Sequence, residues 1–499
     1  QDLRALKTEL LVQKTEKQAI SQIRKLIRKY RGTPLEPDMQ MRLAELYVRQ
    51  SKSARFFELN RESDTVVKFT PKQIKNSSSK RLLKKAINVY DRIESKFPRF
   101  ENIDLVVFNS AMARQQVGWN KQAEQKYWKL IKQYNYSSLV PDAHLAIGEI
   151  NFDAKSFKKA LTHFQSIKKY PESRVYPYGV YKGAWAFYNL QDAKQGLKEL
   201  EEVVRYGREI EAQNLDARLD LRKEALSDMT IFFEDVHPAS KAYAYIKNQA
   251  GKLDATPYLF KMGRLYEIHS RWNDKETLLN DFIKNESNSM ELARAYDERV
   301  DNFENMRNRE QAVAHLGKFN EFCYKSSWQK RLSEPASDGK PTAEHQAALK
   351  DCKDRLNKTS LIMASKWLRL WKKNPTYPKF ANFAESAFDI YLSHNTTTAK
   401  ALKSRYAFAE MLFNRKKYIK ASEQYALMAK YSVDPKSKKH VPSKMEHDAR
   451  YASIVSIEKK VGKKKWTREM EDRFVGRVKD YVAFHPNGKF RLDVEFKLG

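Results

Sequence analysis

Small and bulky apolar residues recur at helical spacing in two consecutive segments of the chain, thirty-six residues apart. In each segment a small residue is followed twelve positions later by a second small residue and sixteen positions later by a bulky apolar one. The residues are Gly148, Ala160 and Phe164 in the first segment and Ala184, Gly196 and Leu200 in the second. Small residues let two helices approach closely, and bulky neighbours fill the space beside the contact. The pattern predicts two helix–turn–helix units in tandem.

Weaker copies of this pattern predict further helix pairs along most of the chain. They lie at about residues 1–30, 37–47 with 86–97, 111–134, 260–282, 293–319 and 406–428. The polar insertion at 51–80 predicts a lengthened helix, then a loop near Thr70 and another at 76–79. A long apolar pattern predicts one helix from about Ala347 to Lys373.

The strength of the pattern divides the chain into four regions. Residues 1–205 form an N-terminal array with the 51–80 insertion, 206–320 a degenerate central region, 321–395 an irregular helical region and 396–499 a C-terminal array. The last four residues, 496–499, restate the tetrapeptide at 260–263, which lies inside a predicted first helix. We therefore expect the chain to stop inside a further repeat of a longer array, since terminal repeats need a polar cap.

Composition supports a helical chain. The 499 residues include only 15 Gly and 16 Pro, so residues that break helices are scarce. Nowhere do eighteen apolar residues follow one another, which argues against a transmembrane segment. The predicted fold class is all-α, with no sheet.

The tandem segments resemble the tetratricopeptide repeat (TPR), a helix–turn–helix unit of about 34 residues. The resemblance implies a right-handed α-solenoid of TPR-like repeats with insertions. It also implies binding of proteins or peptides along a concave face built mainly from the first helices of the pairs.

When the repeats are aligned on Ala111, Gly148 and Ala184, the resemblance assigns eight first-helix residues to this groove. They are Phe108, Met112, Leu145, Glu149, Phe152, Tyr181, Trp185 and Tyr188. Exposed aromatic residues would anchor a peptide or helix of a partner. The alternative is that they pack against neighbouring helices or an inserted element of the same chain. The sequence leaves both open.

The long insertions, and the segments Leu43–Tyr47 and Ile147–Phe152, resemble large bacterial envelope TPR proteins. These include components of delta-proteobacterial gliding-motility machines. This closer likeness implies a scaffold in a multi-protein complex of the periplasm or cell envelope, with the cytoplasm as the alternative compartment.

The chain is strongly basic, with a formal net charge of +32. Such a surface favours anionic partners, although exposed lysines on a solvated helical surface would produce the same number. The densest basic region runs from Lys436 to Arg468 and is the best candidate in the sequence for an anionic docking patch. Binding of a polyanion, either RNA or a wall polymer, is therefore the alternative function. Of these two polyanions, nucleic acid is the less favoured.

No arrangement of residues in the sequence indicates catalysis or metal binding. The two cysteines, Cys323 and Cys352, lack partners at metal-ligand spacing and are either a disulfide or two buried thiols. His144, His163 and His315 fall within repeats and are expected to pack or lie on the surface. Glycine-rich phosphate loops and hydrolase motifs are absent from the sequence. We therefore expect a non-enzymatic protein with no cofactor.

Overall fold

The computed structural model describes residues 2–61, 77–214, 220–335, 341–433, 437, 439–462 and 466–497. Its α-helices are α1 (Asp2–Lys29), α2 (Glu36–Arg61), α3 (Ser77–Lys96), α4 (Ile103–Val117), α5 (Asn120–Gln133), α6 (Val140–Asp153), α7 (Phe157–Ile167), α8 (Tyr176–Asn189), α9 (Ala193–Ala212), α10 (Arg222–Val236), α11 (Ala242–Ala250), α12 (Thr256–Ile268), α13 (Trp272–Asn285), α14 (Leu292–Asn305), α15 (Arg309–Lys325), α16 (Ser327–Ser333), α17 (Ala343–Lys373), α18 (Pro378–His394), α19 (Ala399–Asn414), α20 (Tyr418–Lys430), α21 (Lys444–Val461), α22 (Arg468–Phe484) and α23 (Arg491–Phe496). One 3-10 turn, Ala239–Lys241, precedes α11. Within these ranges there is no β-strand, only an isolated bridge between Val433 and His440.

Helices adjacent in the chain pack against each other along most of the sequence. Examples are α2 on α3, α4 on α5, α6 on α7 and α8 on α9, and later α17 on α18 and α19 on α20. The predicted all-α fold of sequentially paired helices is therefore confirmed. The right-handed sense of the solenoid stays a prediction.

The small residues that define the sequence pattern lie at helix crossings. A Cβ atom on Gly148 in α6 would overlap the ring of Phe164 in α7. A Cβ on Gly196 in α9 would lie 2.6 Å from the ring of Phe232 and 2.9 Å from the carbonyl oxygen of Ala184. Backbone and ring occupy the space that a larger residue would need, so these helices pack as the pattern predicts.

The internal contacts divide the chain into two compact units. The N-terminal unit comprises Gln1–His237 and Ala244–Tyr258, and the C-terminal unit comprises Pro238–Tyr243 and Leu259–Gly499. In the first unit, buried clusters form in succession around Tyr90, Tyr127 and Phe164. In the second, one such cluster surrounds Tyr481. The four-region division of the sequence stays a prediction.

Two predicted elements differ in their limits from the observed ones. Helix α2 is lengthened as predicted, but Ser77–Ser79 belong to α3 and not to a loop, because the Ser79 and Ser51 hydroxyls hydrogen-bond 2.6 Å apart and hold α3 on α2. The predicted loop at Thr70 lies outside the described residues. The long helix α17 begins four residues earlier than predicted, because the Thr342 hydroxyl accepts a hydrogen bond from the amide of His345 and caps it.

The ends of the basic region and of the chain are only partly described. Lys436, Lys438 and residues 463–465 lie outside the described ranges, as do the last two residues, 498 and 499. The last turn of α21, which ends at Val461, carries the exposed pair Lys459 and Lys460.

A disulfide joins Cys323 in α15 to Cys352 in α17, across 29 positions of sequence. Both cysteines are fully buried. The bond ties the long helix α17 to the preceding pair in the C-terminal unit.

Replacing both cysteines, in Cys323→Ala/Cys352→Ala, is expected to lower the free energy of unfolding by about 2–4 kcal/mol, because the crosslink restricts the unfolded chain. The measurement is urea unfolding of the wild type and of the double variant, each with and without a thiol reductant. The double variant is the control and should be insensitive to the reductant. A wild-type midpoint unchanged by reduction would contradict a stabilising crosslink.

Candidate functional site

The first candidate surface is the aromatic strip, defined as Tyr181, Trp185 and Tyr188 of α8. Their spacing of four and three residues places them on one helix face. Asp228 of α10 accepts hydrogen bonds from the Tyr181 hydroxyl at 2.6 Å and from Trp185 Nε1 at 2.9 Å. One carboxylate therefore fixes the orientation of two of the three rings.

The rings of the strip also contact a buried aromatic residue of α10. Phe232 lies 5.2 Å from Trp185 and 4.5 Å from Tyr188 between ring centroids, and Trp185 and Tyr188 are 5.7 Å apart. All three residues of the strip are half-buried. One side of these rings therefore packs against a neighbouring helix, which was one of the two alternatives left open by the sequence. Another part of each ring remains in contact with solvent.

Burial and hydrogen bonding keep the tyrosines of the strip neutral. Desolvation, and next the bond to Asp228, raise the pKa of the Tyr181 hydroxyl well above its usual value. Desolvation and the nearby Asp235 raise the pKa of Tyr188. These hydroxyls are hydrogen-bonding groups and not bases at neutral pH.

The other predicted groove residues lie in different environments. Phe108 is buried, with its ring 5.7 Å from that of Tyr127, whereas Met112 is 39% exposed and lines a cleft of about 310 Å³. Leu145 and Phe152 are half-buried and pack on the core around Phe164.

The remaining one, Glu149, lies 3.6 Å from Nζ of Lys182 in an ion pair that joins α6 to α8. The aromatic strip and Met112 thus present accessible surface, while Phe108 contributes to the core. A partner-binding role for the predicted set stays a prediction.

The histidines within the repeats are packed side chains. His144 and His163 are buried, with Nδ1 atoms 3.0 Å apart, and burial lowers the pKa of His144 to about 4. His315 is buried against Phe303, and burial also lowers its pKa to about 4. These rings are therefore uncharged at neutral pH.

The basic cleft is a second candidate surface, in the C-terminal unit between α17 and α19. Its volume is about 930 Å³. Its cationic lining residues are Lys358, Lys366, Arg369, Lys372, Lys400 and Lys403. Its apolar lining residues are Leu361, Ile362, Leu368, Phe388 and Ala407, and Ser365 and Ser404 complete it.

Sequence reasoning missed both Asp228 and the basic cleft. Asp228 lies in the region where the repeat pattern fades, although its spacing of four from Phe232 places both on one face of α10. The cations of α17 recur at helical spacing, but only the packed structure brings Lys400 and Lys403 of α19 opposite them.

Across the described residues, no group of three or more His, Cys, Asp or Glu side chains is arranged to hold a metal ion. Each helix in the described ranges is too short or too polar to cross a membrane.

No family model matches the sequence, and no curated protein matches it. Similar solved structures include Naa15/Naa10 bound to HypK-THB, at 10% identity and a TM-score of 0.30, with 94% of this chain and 68% of that chain covered. A human IFIT1 dimer with PPP-AAAA is similar at 12% identity and a TM-score of 0.22, with 93% and 94% covered. Because these values are low, the all-helical repeat fold rests on the packing of the chain's own helices, and neither structure identifies a family or a function.

Proposed function

We propose that this protein is a non-enzymatic scaffold that binds other proteins within a multi-protein complex of a bacterial cell envelope. Stacked helix pairs form extended surfaces suited to binding partners. The observation that carries the proposal is the aromatic strip, in which Asp228 orients Tyr181 and Trp185 while both rings stay partly exposed. Half-exposed aromatic side chains held in one orientation lose little entropy when a partner covers them.

The envelope compartment is supported by the disulfide and by the resemblance to envelope TPR proteins. Disulfides persist in oxidising compartments and are rare in the cytosol. The Cys323–Cys352 bond therefore favours the periplasm over the cytoplasm. A link to gliding motility rests on the resemblance alone. Alkylation of thiols in cells lysed directly into denaturant tests the compartment, because both cysteines are buried in the folded chain. Free thiols at Cys323 and Cys352 would favour the cytoplasm.

Substituting Trp185→Ala tests the scaffold proposal. A partner is first identified by affinity purification of the full chain from its native cell, and its dissociation constant is then measured by calorimetry. We expect Trp185→Ala to weaken binding by about 2 kcal/mol or more, as aromatic hot spots do. Replacing a fully buried tryptophan by alanine typically lowers the free energy of unfolding by about 3–5 kcal/mol. The loss for Trp185→Ala should be smaller, because Trp185 is only half-buried.

The matched control is Trp128→Ala. Trp128 lies on the second helix α5 and is 36% exposed, so the same chemical change occurs away from the predicted groove. Binding by this control should change little. Equal affinity loss in the two variants, or a large fall in melting temperature with unchanged affinity for Trp185→Ala, would assign Trp185 to packing and reject the strip as a binding surface.

Binding of a polyanion is the second candidate function, favoured by the net charge of +32 and by the basic cleft. The dependence of affinity on salt separates the two. Neutralising many phosphates releases counterions, so affinity for a nucleic acid would fall steeply as salt rises, whereas binding on an aromatic surface would respond much less.

A further inference from the structure

We infer that the basic cleft binds an acidic, amphipathic segment of a partner protein. The inference rests on the proposed scaffold function and names the class of partner for a surface other than the aromatic strip.

Five of the six cations of the cleft are not neutralised by any residue that the structure describes. Lys366 pairs with Glu304 at 2.8 Å. The other five basic side chains form no ion pair within 4.0 Å in the part of the chain that the structure describes. Like charges held on facing helices repel one another, and a bound anionic group would relieve that repulsion.

Neighbouring clefts in the same unit differ in that carboxylates lie beside their cations. The cleft between α14 and α17, of about 530 Å³, contains Glu267, Glu298 and Asp301 beside its cations. The cleft between α20 and α22, of about 900 Å³, contains Asp472 and Asp480. The described lining of the basic cleft includes no carboxylate. Its charge is therefore a local feature and not merely the average of a basic chain.

The cleft also has an apolar surface. Ile362 is 49% exposed and lies on the same face of α17 as Lys358 and Arg369, at intervals of four and seven residues. Leu361 and Leu368 lie beneath it and are mostly buried, so Ile362 is the large apolar side chain that a partner can cover. A partner that covers Ile362 between the cations needs an apolar group among its carboxylates, which describes an amphipathic peptide.

The dimensions fit a peptide better than a single small anion. From Lys358 to Lys372 the lining spans fourteen positions of one helix, roughly 21 Å at 1.5 Å per residue. That length matches about six residues of an extended peptide or about fourteen of a helix.

Nucleic acid fits the cleft less well. Single strands bind by stacking bases on exposed aromatic rings as well as by phosphate contacts. Phe388 is the one aromatic residue among the described lining residues and is only 2% exposed, so no ring there offers a face to a base.

The test compares labelled probes on the full chain by fluorescence anisotropy at about 150 mM salt, where weak long-range attraction is screened. The first probe is a synthetic peptide of about fourteen residues with glutamates and leucines at helical spacing. The second replaces each glutamate by glutamine, and the third is a single-stranded oligouridylate of equal length. The variants are Arg369→Glu/Lys403→Glu in the cleft and Lys284→Glu/Lys479→Glu as the control, which also avoids the basic region at 436–468. The control residues are exposed, lie in the same unit and outside the cleft, and change the net charge equally.

We expect the wild type to bind the acidic peptide and not its glutamine counterpart. The cleft variant should bind it at least about tenfold more weakly, since reversing a contacting charge replaces attraction by repulsion, and the control about twofold or less. Circular dichroism monitors folding, and Lys400→Gln/Lys403→Gln provides a neutral variant if charge reversal disturbs the helices.

Three results would overturn the inference. They are no binding of the acidic peptide by the wild type, equal losses in the cleft and control variants, and loss of oligouridylate binding in the cleft variant with peptide binding intact. The last would identify a nucleic-acid site instead. Each leaves the Trp185→Ala test of the scaffold proposal unaffected, because that test uses a partner of the aromatic strip in the N-terminal unit.

Discussion

The variant Phe164→Ala is expected to lower the free energy of unfolding by about 3–5 kcal/mol. Phe164 of α7 is buried against α6, and its ring fills the space that the missing side chain of Gly148 leaves open. Truncation would remove this apolar contact and leave a cavity at the helix crossing. Because each pair of a repeat array is stabilised by its neighbours, loss at one crossing also weakens the next pairs.

A double-mutant cycle with Gly148→Ala tests this geometry. Alone, Gly148→Ala should destabilise by about 1–3 kcal/mol, because the new methyl group would overlap the Phe164 ring. In the Phe164→Ala background the methyl group has room, and alanine is the better helix former by about 1 kcal/mol. We expect the second substitution to become neutral or stabilising there.

The measurement is urea unfolding followed by circular dichroism. The control is Gln165→Ala, an exposed neighbour on α7, which should change stability by about 0.5 kcal/mol or less. Additive effects of Gly148→Ala and Phe164→Ala would show that the glycine and the ring do not share one space.

A comparable loss, again about 3–5 kcal/mol, is expected for Arg450→Met in the C-terminal unit. Glu446 is fully buried, and Arg450, four residues later on α21, donates a hydrogen bond to its carboxylate and another to Asp480 of α22. His485 Nε2 lies 2.8 Å from the second oxygen of Glu446, and His440 Nε2 lies 3.1 Å from the first. Removing the arginine leaves a buried carboxylate without its permanent cation.

The pH dependence of Arg450→Met gives a second readout. Burial lowers the pKa of His485 below its usual value, and the nearby Arg450 contributes to that lowering. In the wild type the folded state therefore binds its proton less readily than the unfolded state, and this group's contribution to stability falls as pH drops below about 6.5. Without Arg450 the pKa of His485 should rise, and the protonated ring would replace the lost cation beside Glu446. The stability deficit of the variant is thus expected to shrink between about pH 7.5 and 5.5.

Urea unfolding at several pH values measures this deficit. Lys459→Ala, an exposed change on the same helix, is the control and should give no pH-dependent difference from the wild type. The double variant Arg450→Met/Glu446→Leu should recover much of the lost stability, since it removes the buried charge as well. A deficit below about 1 kcal/mol for Arg450→Met at pH 7.5 would contradict a role for the pair in stabilising the fold.

The sequence predicted the packing within a helix pair well, because that packing depends on residues close together in the chain. The intervals between Gly148, Ala160 and Phe164 bring small and large residues together at a helix crossing, so the partners of each residue follow from spacing alone. The apolar pattern of residues 347–373 predicted α17 to within four residues at its start, and the difference arose at the Thr342 cap.

Prediction was poorer where side chains distant in the sequence meet. The aromatic strip was identified on α8, but its hydrogen-bonding partner Asp228 is forty-three residues beyond Trp185, in a region with weak repeat pattern. The basic region at residues 436–468 stood out in the sequence, whereas the unpaired cations of the basic cleft come from two helices separated by α18.

The sequence by itself determined the all-α fold, because helical spacing of apolar residues and scarcity of glycine and proline act within each segment. It also supplied two cysteines without deciding whether they were bonded. Only the tertiary structure decided that Cys323 meets Cys352 and that side chains from three segments lie beside Glu446. It also decided that six cations, five of them without an ion pair in the described residues, line a cleft whose described lining has no carboxylate. These arrangements depend on how the helices pack in three dimensions, and a pattern read along one helix carries no information about which residue of another helix will face it.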